Sequence, residues 1–441
     1  MITPPPLPER PPFTLRARLL TPLADGGTRY EEDARISVDG TGRLSAIGAT
    51  DGGEAASALD VRPWVVMPGL VDLHAHLPQL PNAGVGAGLH LLDWLERYIF
   101  PLEQAFDEAT AEALAPAAFR AFARAGTTTL VAYGAIWQPS LDACFRAAEA
   151  HGIRAVIGKV MMDRLSYDTQ REAQEVLELS LRQSAELCER WHGRDDGRLQ
   201  YAFTPRFAVS CSAEMLHESA RLAAATGAYW QTHLSEDRGE IEEVGRLFPD
   251  AIDYTDVYDR AGGLSRRAIL AHAIHLSERE VARLVESGAV VAHCPSSNLF
   301  LASGAMPLAR YLAAGMRLGL GSDVAAGPDV SLFGVMRAGA YTQNGLYAVG
   351  RAPTGAMPPV AWLRLGTLGG AEALGLGDRI GSVEVGKEAD LILVDPATTL
   401  PLQGLGAAAE DGPDEILSRL IYRAHPEMVR GAWVRGRLLP A

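Results

Sequence analysis

The 441-residue chain is short of cysteine and carries no excess of positive charge. Its four cysteines form no Cys-x-x-Cys pair, which excludes a disulfide scaffold and favours a reducing compartment. We therefore expect a cytoplasmic protein. The net charge of −14 repels phosphate backbones and anionic lipid surfaces, so neither nucleic acid nor a membrane is an expected partner.

The chain also shows no sign of a segment for secretion or for membrane insertion. Its first six residues, Met1 to Pro6, lack the basic start and the apolar stretch of a signal peptide. Threonines and a glutamine interrupt the uncharged segment from Ala125 to Leu141, which makes it a poor bilayer-spanning helix. With 48% apolar and 21% charged residues, the composition predicts a globular chain with a large core.

Short apolar or β-branched runs alternate with helical stretches along the middle of the chain, which predicts parallel strands covered by helices. Eight such runs can be proposed, the strand number of a (β/α)8 TIM-like barrel. The predicted strands are Val65–Leu73, Thr127–Tyr133, Arg154–Met161, Leu199–Thr204, Ala228–His233, Ala268–His272, Ala289–Cys294 and Met316–Asp323. The predicted helices are Asp107–Ala125, Pro139–His151, Arg171–Trp191, Ser212–Thr226, Ser277–Ser287 and Pro307–Ala314, with Ser212 and Ser277 as N-caps.

The two ends of the chain differ from its middle, because they alternate short strands with glycine turns and lack a helical period. They predict a small β-sandwich with strands at Leu15–Leu20, Ala34–Val38, Leu44–Ile47, Leu391–Val394 and Met428–Arg435. We therefore expect a composite β domain from residues 1–64 and 379–441, and a hydrolase barrel over residues 65–378. The stretches Pro4–Pro12 and Gly404–Pro413 are expected to be loops.

The most informative motif places two histidines at the end of the first predicted barrel strand. His74 and His76 are separated by one residue, so on a strand they point to the same face. Both imidazoles could then reach one ion at about 2.0–2.1 Å, the distance that zinc prefers. An isolated His-x-His is more often two ordinary histidines at a strand end, so the interpretation depends on the other strands.

Four later predicted strands carry a metal-type or acid-type residue at or near their carboxyl ends. These residues are His233, His272, His293 and Asp323. Each alone could be structural, but the carboxyl ends of barrel strands converge on one mouth, where the catalytic residues of such barrels lie. Together with the first motif they predict a metal-dependent active site.

An acid next to this set has the position of a proton shuttle. Glu236 follows His233 by three residues, so it can overhang the predicted pocket and carry a proton from water to a leaving group. The alternative is an acid that complements a helix N-terminus. Asp323 could both contact the metal and accept a proton from the activated water, and His272 could hold that water in line.

These residues resemble the amidohydrolase superfamily, in its mononuclear zinc deaminase branch, and within that branch the guanine deaminase family. The resemblance runs from about Pro68 to Gly386. Its further motifs are His76-Leu-Pro-Gln79, Pro81-Asn-Ala-Gly84, Leu91-Leu-Asp-Trp-Leu95, Gly158-Lys-Val160, Thr204-Pro-Arg-Phe207, His293-Cys-Pro-Ser-Ser-Asn298, Gly319-Leu-Gly-Ser-Asp-Val324 and Gly381-Ser-Val-Glu-Val-Gly-Lys-Glu-Ala-Asp-Leu391.

The resemblance implies one zinc ion per subunit of a homodimer. It implies that the ion is held by His74, His76, His233 and Asp323. It also implies that the purine base is bound by Gln79, Arg206 and Phe207, with His76, Glu236 and His272 at the substrate as well. An amide can match a lactam edge, a guanidinium can donate to its carbonyl, and a phenyl ring can stack on a base. Arg206 could alternatively be a barrel salt-bridge residue, and Phe207 could belong to the core.

The implied activity is hydrolysis of a cyclic amidine C–N bond, which turns guanine into xanthine and ammonia in purine catabolism. Ser296, Asp237 and His90 depart from the family pattern and bear on substrate preference. The alternatives are another amino-heterocycle, such as 8-oxoguanine, a pterin or a triazine, a chlorohydrolase activity, or a catalytically silent scaffold. The same ligand types also accept iron or manganese.

Lys159 and His293 have no assigned role. Binuclear members of the superfamily use a carboxylated lysine to bridge two metals, usually at the end of the fourth barrel strand. Lys159 lies in the third predicted strand, and the presence of Glu236 favours a site with one metal. A structural charge is therefore the expected role of Lys159.

Overall fold

The computed structural model describes residues 6–49, 58–353, 356–404 and 411–441. Its strands form two sheets, one of nine strands and one of seven. The strands are β1 (Phe13–Pro22), β2 (Thr28–Val38), β3 (Leu44–Ala49), β4 (Leu59–Pro68), β5 (Leu70–His76), β6 (Thr127–Tyr133), β7 (Arg154–Gly158), β8 (Val160–Met161), β9 (Leu199–Pro205), β10 (Tyr229–Leu234), β11 (Ala268–His272), β12 (Val290–His293), β13 (Arg317–Leu320), β14 (Leu391–Val394), β15 (Val429–Val434) and β16 (Arg437–Leu438).

The nine-stranded sheet is a nearly closed parallel barrel. Its eight main strands pair in the order β13-β12-β11-β10-β9-β7-β6-β5, and the short β8 pairs with β9. Beyond β13 the chain meets the first barrel strand: the Asp323 N–H donates to the His74 carbonyl at 2.7 Å, and the His76 N–H donates to the Val324 carbonyl at 3.1 Å. The predicted (β/α)8 barrel is confirmed, and its seam carries three of the predicted site residues.

Helices lie between the barrel strands and after them. They are α1 (Leu91–Trp94), α2 (Phe100–Gln104), α3 (Glu108–Arg124), α4 (Gln138–His151), α5 (Ala173–Trp191), α6 (Arg194–Gly197), α7 (Ala213–Thr226), α8 (Arg238–Leu247), α9 (Tyr254–Arg260), α10 (Glu278–Ser287), α11 (Pro295–Phe300), α12 (Leu308–Ala313), α13 (Leu332–Ala348), α14 (Pro359–Arg364), α15 (Gly370–Ala373) and α16 (Pro413–Tyr422). Ser212 and Ser277 accept from the third N–H of the helices that follow them, which confirms both predicted caps.

The seven-stranded sheet is built from both ends of the chain, in the order β16-β15-β14-β4-β1-β2-β3. Its described neighbours are antiparallel except for the pair β1 and β4. It buries a core of its own that includes Leu15, Ile36, Leu391 and Trp433. The predicted extra β domain is therefore present, as one connected sheet.

The first predicted barrel strand, Val65–Leu73, is wrong as a single element. Its first half belongs to β4 in the terminal sheet, and the barrel strand β5 begins only at Leu70. The two strands follow one another without a polar turn, so the apolar pattern gives no sign of the change. Gly69 lies between them, and a Cβ there would stand 2.0 Å from the Thr128 hydroxyl, so only glycine fits. The domain boundary at residues 64/65 stays a prediction.

Other boundaries differ in smaller ways. The predicted strand Arg154–Met161 is divided at Lys159 into β7 and β8. Of the predicted loop Gly404–Pro413, residues 405–410 lie outside the described part of the chain, and Pro413 already begins α16. Residues 4 and 5 of the proline-rich start also lie outside it, while residues 6–12 form no helix or strand. Ten helices that the structure describes have no counterpart among the six predicted ones: α1, α2, α6, α8, α9, α11, α13, α14, α15 and α16.

All four cysteines are buried and free, as the sequence predicts. Across the described ranges, no helix combines the length and the apolar character needed to cross a bilayer. The cytoplasmic location itself stays a prediction.

Candidate active site

Four predicted site residues bring ligand-type atoms together at the carboxyl ends of the barrel strands. His74 and His76 lie at the end of β5, His233 lies on β10, and Asp323 follows β13. His76 Nε2 is 3.2 Å from His74 Nε2 and 3.2 Å from His233 Nε2. Asp323 Oδ1 is 3.0 Å from His74 Nε2 and 3.4 Å from His76 Nε2. Ligands at about 2.0–2.1 Å from a tetrahedral ion are roughly 3.3 Å apart, so these four atoms fit one metal ion.

The protonation of the histidines supports a cation between them. Burial lowers the pKa of His74, lowers that of His76 to about 4, and lowers that of His233 well below its usual range. The three imidazoles are therefore neutral at pH 7. His233 Nδ1 lies 2.6 Å from the Arg206 carbonyl, to which it donates, so its Nε2 keeps a free lone pair. With their protons on Nδ1, the three rings would turn Nε2 lone pairs towards one another at 3.2 Å, an arrangement that a cation between them satisfies.

The charge on Asp323 fits the same interpretation. Burial opposes ionisation of this carboxyl, but His74, together with His76 and His272, outweighs that effect and holds its pKa well below the usual range. Asp323 also has a left-handed backbone, with φ of 49°, a conformation that costs energy in a residue other than glycine. The fold thus holds an ionised carboxylate in a strained position beside three imidazoles.

His272 is a second possible partner of this group. One nitrogen of His272 and one ligand atom each of His74, His233 and Asp323 all lie within 4.8 Å of one another. However, His272 Nε2 is 3.8 Å from Asp323 Oδ2, longer than the corresponding distances of His76. Its Nδ1 is 2.9 Å from Asn298 Oδ1, and its Nε2 is 3.3 Å from Glu236 Oε2. The shorter distance from His76 to Asp323 favours His76 as the ligand. His272 then lies between the cluster and Glu236.

Glu236 stands at the edge of the cluster, almost fully buried. Burial and the nearby charge of Asp323 raise its pKa well above the usual range. The Ser303 hydroxyl donates to Glu236 Oε1 at 3.3 Å and so fixes the orientation of the carboxyl. A carboxyl in such an environment can hold and release a proton near neutral pH.

A small cavity opens directly onto the cluster. Gln79 and Arg206 line it together with His76, His233, Glu236, His272 and Asp323. The rest of its wall is mostly apolar and consists of Leu91, Trp94, Leu95, Phe207, Leu301 and Ala326. The Phe207 ring is 6.4 Å from the His233 ring, so Phe207 borders the cavity beside the cluster. A flat polar ring that enters this cavity would meet an apolar wall, two polar side chains and the cluster at once.

Gln79 and Arg206 are joined by a residue that the sequence analysis missed. Glu103 on α2 accepts from Gln79 Nε2 at 2.8 Å through Oε1 and forms a salt bridge with Arg206 Nη1 through Oε2. The Phe100 ring lies 5.4 Å from the Arg206 guanidinium. Arg206 is therefore both a salt-bridge residue and a cavity residue, so the two interpretations of it are compatible.

Asp72 was also missed, although it lies within the first motif. Its Oδ1 accepts from the N–H groups of His74 at 3.1 Å and Ser322 at 3.0 Å, so it ties β5 to the segment that carries Asp323. Burial raises its pKa to about 7. Its other oxygen has no partner among the described residues. The aspartate in Val71-Asp-Leu-His74 could have been noticed, because a buried strand rarely contains an acid without a structural use.

The two residues without an assigned role do not join the cluster. Lys159 Nζ donates to the Ser180 hydroxyl on α5 at 2.9 Å. Neither ring nitrogen of His293 has a hydrogen-bond partner among the described residues, and burial lowers its pKa to about 3. The contacts of Lys159, a hydroxyl and a backbone carbonyl, agree with a structural role and not with a bridge between two metals, whereas burial lowers its pKa to about 7 and so works against the expected charge.

Known proteins resemble this chain over most of its length. The amidohydrolase family profile matches residues 65–439. A probable guanine deaminase of Deinococcus radiodurans is 37% identical over 383 residues, which cover 86% of this chain and 85% of that protein. The solved E. coli guanine deaminase has a TM-score of 0.88 and 32% identity, over 98% of this chain and 99% of its own. A C. acetobutylicum guanine deaminase solved with guanine in its active site has a TM-score of 0.88 and 26% identity, over 97% of this chain and 99% of its own.

Proposed function

The chain belongs to the amidohydrolase family, and from this premise we propose that it hydrolyses guanine to xanthine and ammonia. The observation that carries the proposal is the cluster of three neutral imidazoles and one carboxylate, with separations of 3.0–3.4 Å, beside a protonatable glutamate in one cavity. The guanine deaminases among its relatives support the choice of base.

We assign the cation site to one zinc ion per chain, held by His74, His76, His233 and Asp323. Three imidazole nitrogens and one carboxylate oxygen are a ligand set that zinc accepts. When bound, zinc supplies Lewis-acid stabilisation of developing charge and a nucleophilic water at neutral pH.

The remaining site residues bind the base and move protons. Phe207 offers a ring face to the base, while Arg206 donates to its carbonyl oxygen and Gln79 meets the adjacent N–H. Glu236 takes one proton from the attacking water and gives it to the ring nitrogen next to the amine-bearing carbon. It then takes the remaining hydroxyl proton of the adduct and gives it to the amine, so that the C–N bond breaks as the new carbonyl forms. The Asp323 carboxylate accepts a hydrogen bond from the attacking water, and His272 forms a second hydrogen bond with that water and keeps it in line. One water is consumed, and one ammonia leaves.

The setting of the enzyme is part of the same proposal. Four free buried cysteines are consistent with a reducing compartment, so we place the enzyme in the cytoplasm. A homodimer and a place in purine catabolism follow from the resemblance to the guanine deaminase family. The net charge of −14 favours a free base over a polymer as substrate.

Product analysis tests the proposal. Purified protein with its metal content determined is incubated with guanine, 8-oxoguanine, a pterin and an amino-triazine, and ammonia and ring product are measured together. Guanine should give equal amounts of xanthine and ammonia, and at a higher kcat/KM than the other bases. Metal-containing protein that releases no ammonia from guanine would remove the proposed substrate, and release from another base would identify the replacement.

A further inference from the structure

A single buried carboxylate holds both polar side chains that face the base. Glu103 has no solvent-exposed surface, and its two oxygens contact different side chains of the cavity wall. One accepts from the Gln79 amide at 2.8 Å, and the other pairs with the Arg206 guanidinium. The Tyr167 hydroxyl lies against the same carboxylate, which adds to the burial effect that raises the pKa of that phenol.

The contact with Glu103 decides which end of the Gln79 amide faces the cavity. A glutamine amide has a donor end and an acceptor end of almost equal size, and its partners determine its orientation. A carboxylate only accepts, so the NH2 group of Gln79 must point to Glu103. No donor among the described residues reaches Gln79 Oε1, which is left as the acceptor that the cavity presents.

The contact between Glu103 and Arg206 places a hydrogen-bond donor beside the Gln79 acceptor. Glu103 pairs with Nη1 of the guanidinium, and Arg206 also lines the cavity, where it can offer a further N–H group to the base. Arg206 is 2% exposed, and a buried cation without its counter-charge is unstable. Its carbonyl also accepts from His233 at 2.6 Å, so a displacement of Arg206 would reach the cluster.

We propose that Glu103 is a positioning residue that determines base specificity, by fixing Gln79 as an acceptor and Arg206 as a donor side by side. This pair complements a ring carbonyl followed by a ring N–H, the lactam of guanine. The same pair does not complement 2,6-diaminopurine. In that base an amino group replaces the carbonyl, so two donors would meet at Arg206, and the neighbouring ring nitrogen has no hydrogen, so two acceptors would meet at Gln79. The inference rests on the proposed function, because it names the part of the substrate that the cavity selects.

The isosteric change Glu103→Gln removes the fixed polarity and keeps the shape. The amide of Gln79 can then turn either way, so the preference for guanine over 2,6-diaminopurine should fall about tenfold or more, in both Kd and kcat/KM. The loss should appear mainly as a raised KM for guanine, since the reacting groups stay in place. The exposed Glu112→Gln, which weakens an ion pair with Arg146 on the surface, is the matched control and should change neither quantity.

A charge swap separates positioning from simple burial of a charge. In Gln79→Glu/Glu103→Gln, the new amide at position 103 donates to the new carboxylate at 79 and accepts from Arg206. The cavity keeps an acceptor beside a donor, so the preference for guanine should return towards the wild-type value. A folded Glu103→Gln protein with unchanged preference would overturn the proposal, and so would a folded double variant that is no better than the single one.

Folding and turnover are measured beside the binding preference. If Glu103→Gln fails to fold by circular dichroism, the double variant, which restores the buried charge, decides the matter through its own preference. Turnover of guanine by the wild-type protein tests the proposed function. The role of Glu103 is tested separately, by the Kd for guanine and the Kd for 2,6-diaminopurine in each protein. A wild-type protein that binds guanine selectively but releases no ammonia would contradict the proposed activity. The binding preferences of wild type and Glu103→Gln would still decide the role of Glu103.

Discussion

Two buried polar clusters lie at opposite ends of the barrel and differ in how their groups are satisfied. At the amino end of β7, Arg154 contacts Glu388 at 2.6 Å and Asp390 at 3.0 Å, and Glu388 is also paired with Arg379 and Arg435. Burial works against ionisation of Glu388, but the surrounding arginines lower its pKa to about 2.

At the mouth, by contrast, the groups that converge are of the metal-ligand type. Three imidazole nitrogens and a carboxylate oxygen lie 3.0–3.2 Å from their nearest neighbours in the cluster. The ion pairs of Arg154 stabilise the joint between the barrel and the terminal sheet, whereas the role proposed for the groups at the mouth is to bind a cation. Charged residues at the two ends of the same strands therefore have different uses, and mutations at the two ends should separate activity from stability.

The largest expected effect is on turnover at the mouth. Glu236→Gln removes the proton carrier but keeps its shape, so kcat should fall about 10³- to 10⁴-fold. The free energy of unfolding should not decrease, because an isolated buried carboxyl is itself costly to the folded state. Ammonia release and chemical denaturation measure the two quantities, and a variant of near wild-type speed would dismiss the role assigned to Glu236.

The opposite result is expected at the base of the barrel. Arg154→Met leaves Glu388 and Asp390 without a buried partner and should lower the free energy of unfolding by about 3 kcal/mol. The kcat/KM of the folded fraction should stay within a few-fold of wild type. Arg146→Met, which removes an exposed ion pair, should cost at most about 1 kcal/mol and serves as the control. Equal losses in the two variants would mean that burial of the network contributes nothing.

Lys159, five residues along from Arg154, gives a pH test of the same contrast. It forms no salt bridge among the described residues, and burial lowers its pKa from 10.5 to about 7. Between pH 7 and 10 the unfolded chain therefore binds the proton that the folded chain has lost, so stability should rise with pH. From pH 7 to 9 the free energy of unfolding of the wild-type protein should rise by about 2 kcal/mol relative to that of Lys159→Met. Denaturation of both proteins across this range checks it, and parallel curves would show that the lysine is charged when folded.

The smallest expected effect concerns the orientation of His272. Asn298→Ala removes the oxygen that accepts from His272 Nδ1 at 2.9 Å and should lower kcat about tenfold, as loss of a supporting hydrogen bond usually does. The bound metal should be unchanged, because His272 is assigned a place beside the ligands. Asn298→Asp keeps an acceptor there and should recover part of the loss in steady-state assays. Loss of metal in Asn298→Ala would instead make His272 a ligand.

Two barrel strands, Thr127–Tyr133 and Ala268–His272, agree with the prediction at both ends, and glycines bound the first of them. The converging histidines could be predicted because strand ends of a barrel share one mouth, whatever their separation in the chain. The break at Gly69 could not, because two apolar strands of different sheets follow one another without a turn.

The supporting residues of the site are hidden from sequence reasoning for a different reason. Glu103 lies 24 residues from Gln79 and 103 residues from Arg206, and only the closed barrel brings them together. Ser303 reaches Glu236 over 67 residues in the same way. Such residues carry no local pattern, so their partners become visible only in three dimensions.

Titration of zinc into metal-stripped protein, followed by calorimetry, tests the central claim most directly. One zinc ion should bind per chain, Glu236→Gln should bind it with similar affinity, and Asp323→Asn should bind it far more weakly. A protein that binds no zinc, or that binds it equally well after Asp323→Asn, would contradict the assignment of the barrel mouth as a metal centre.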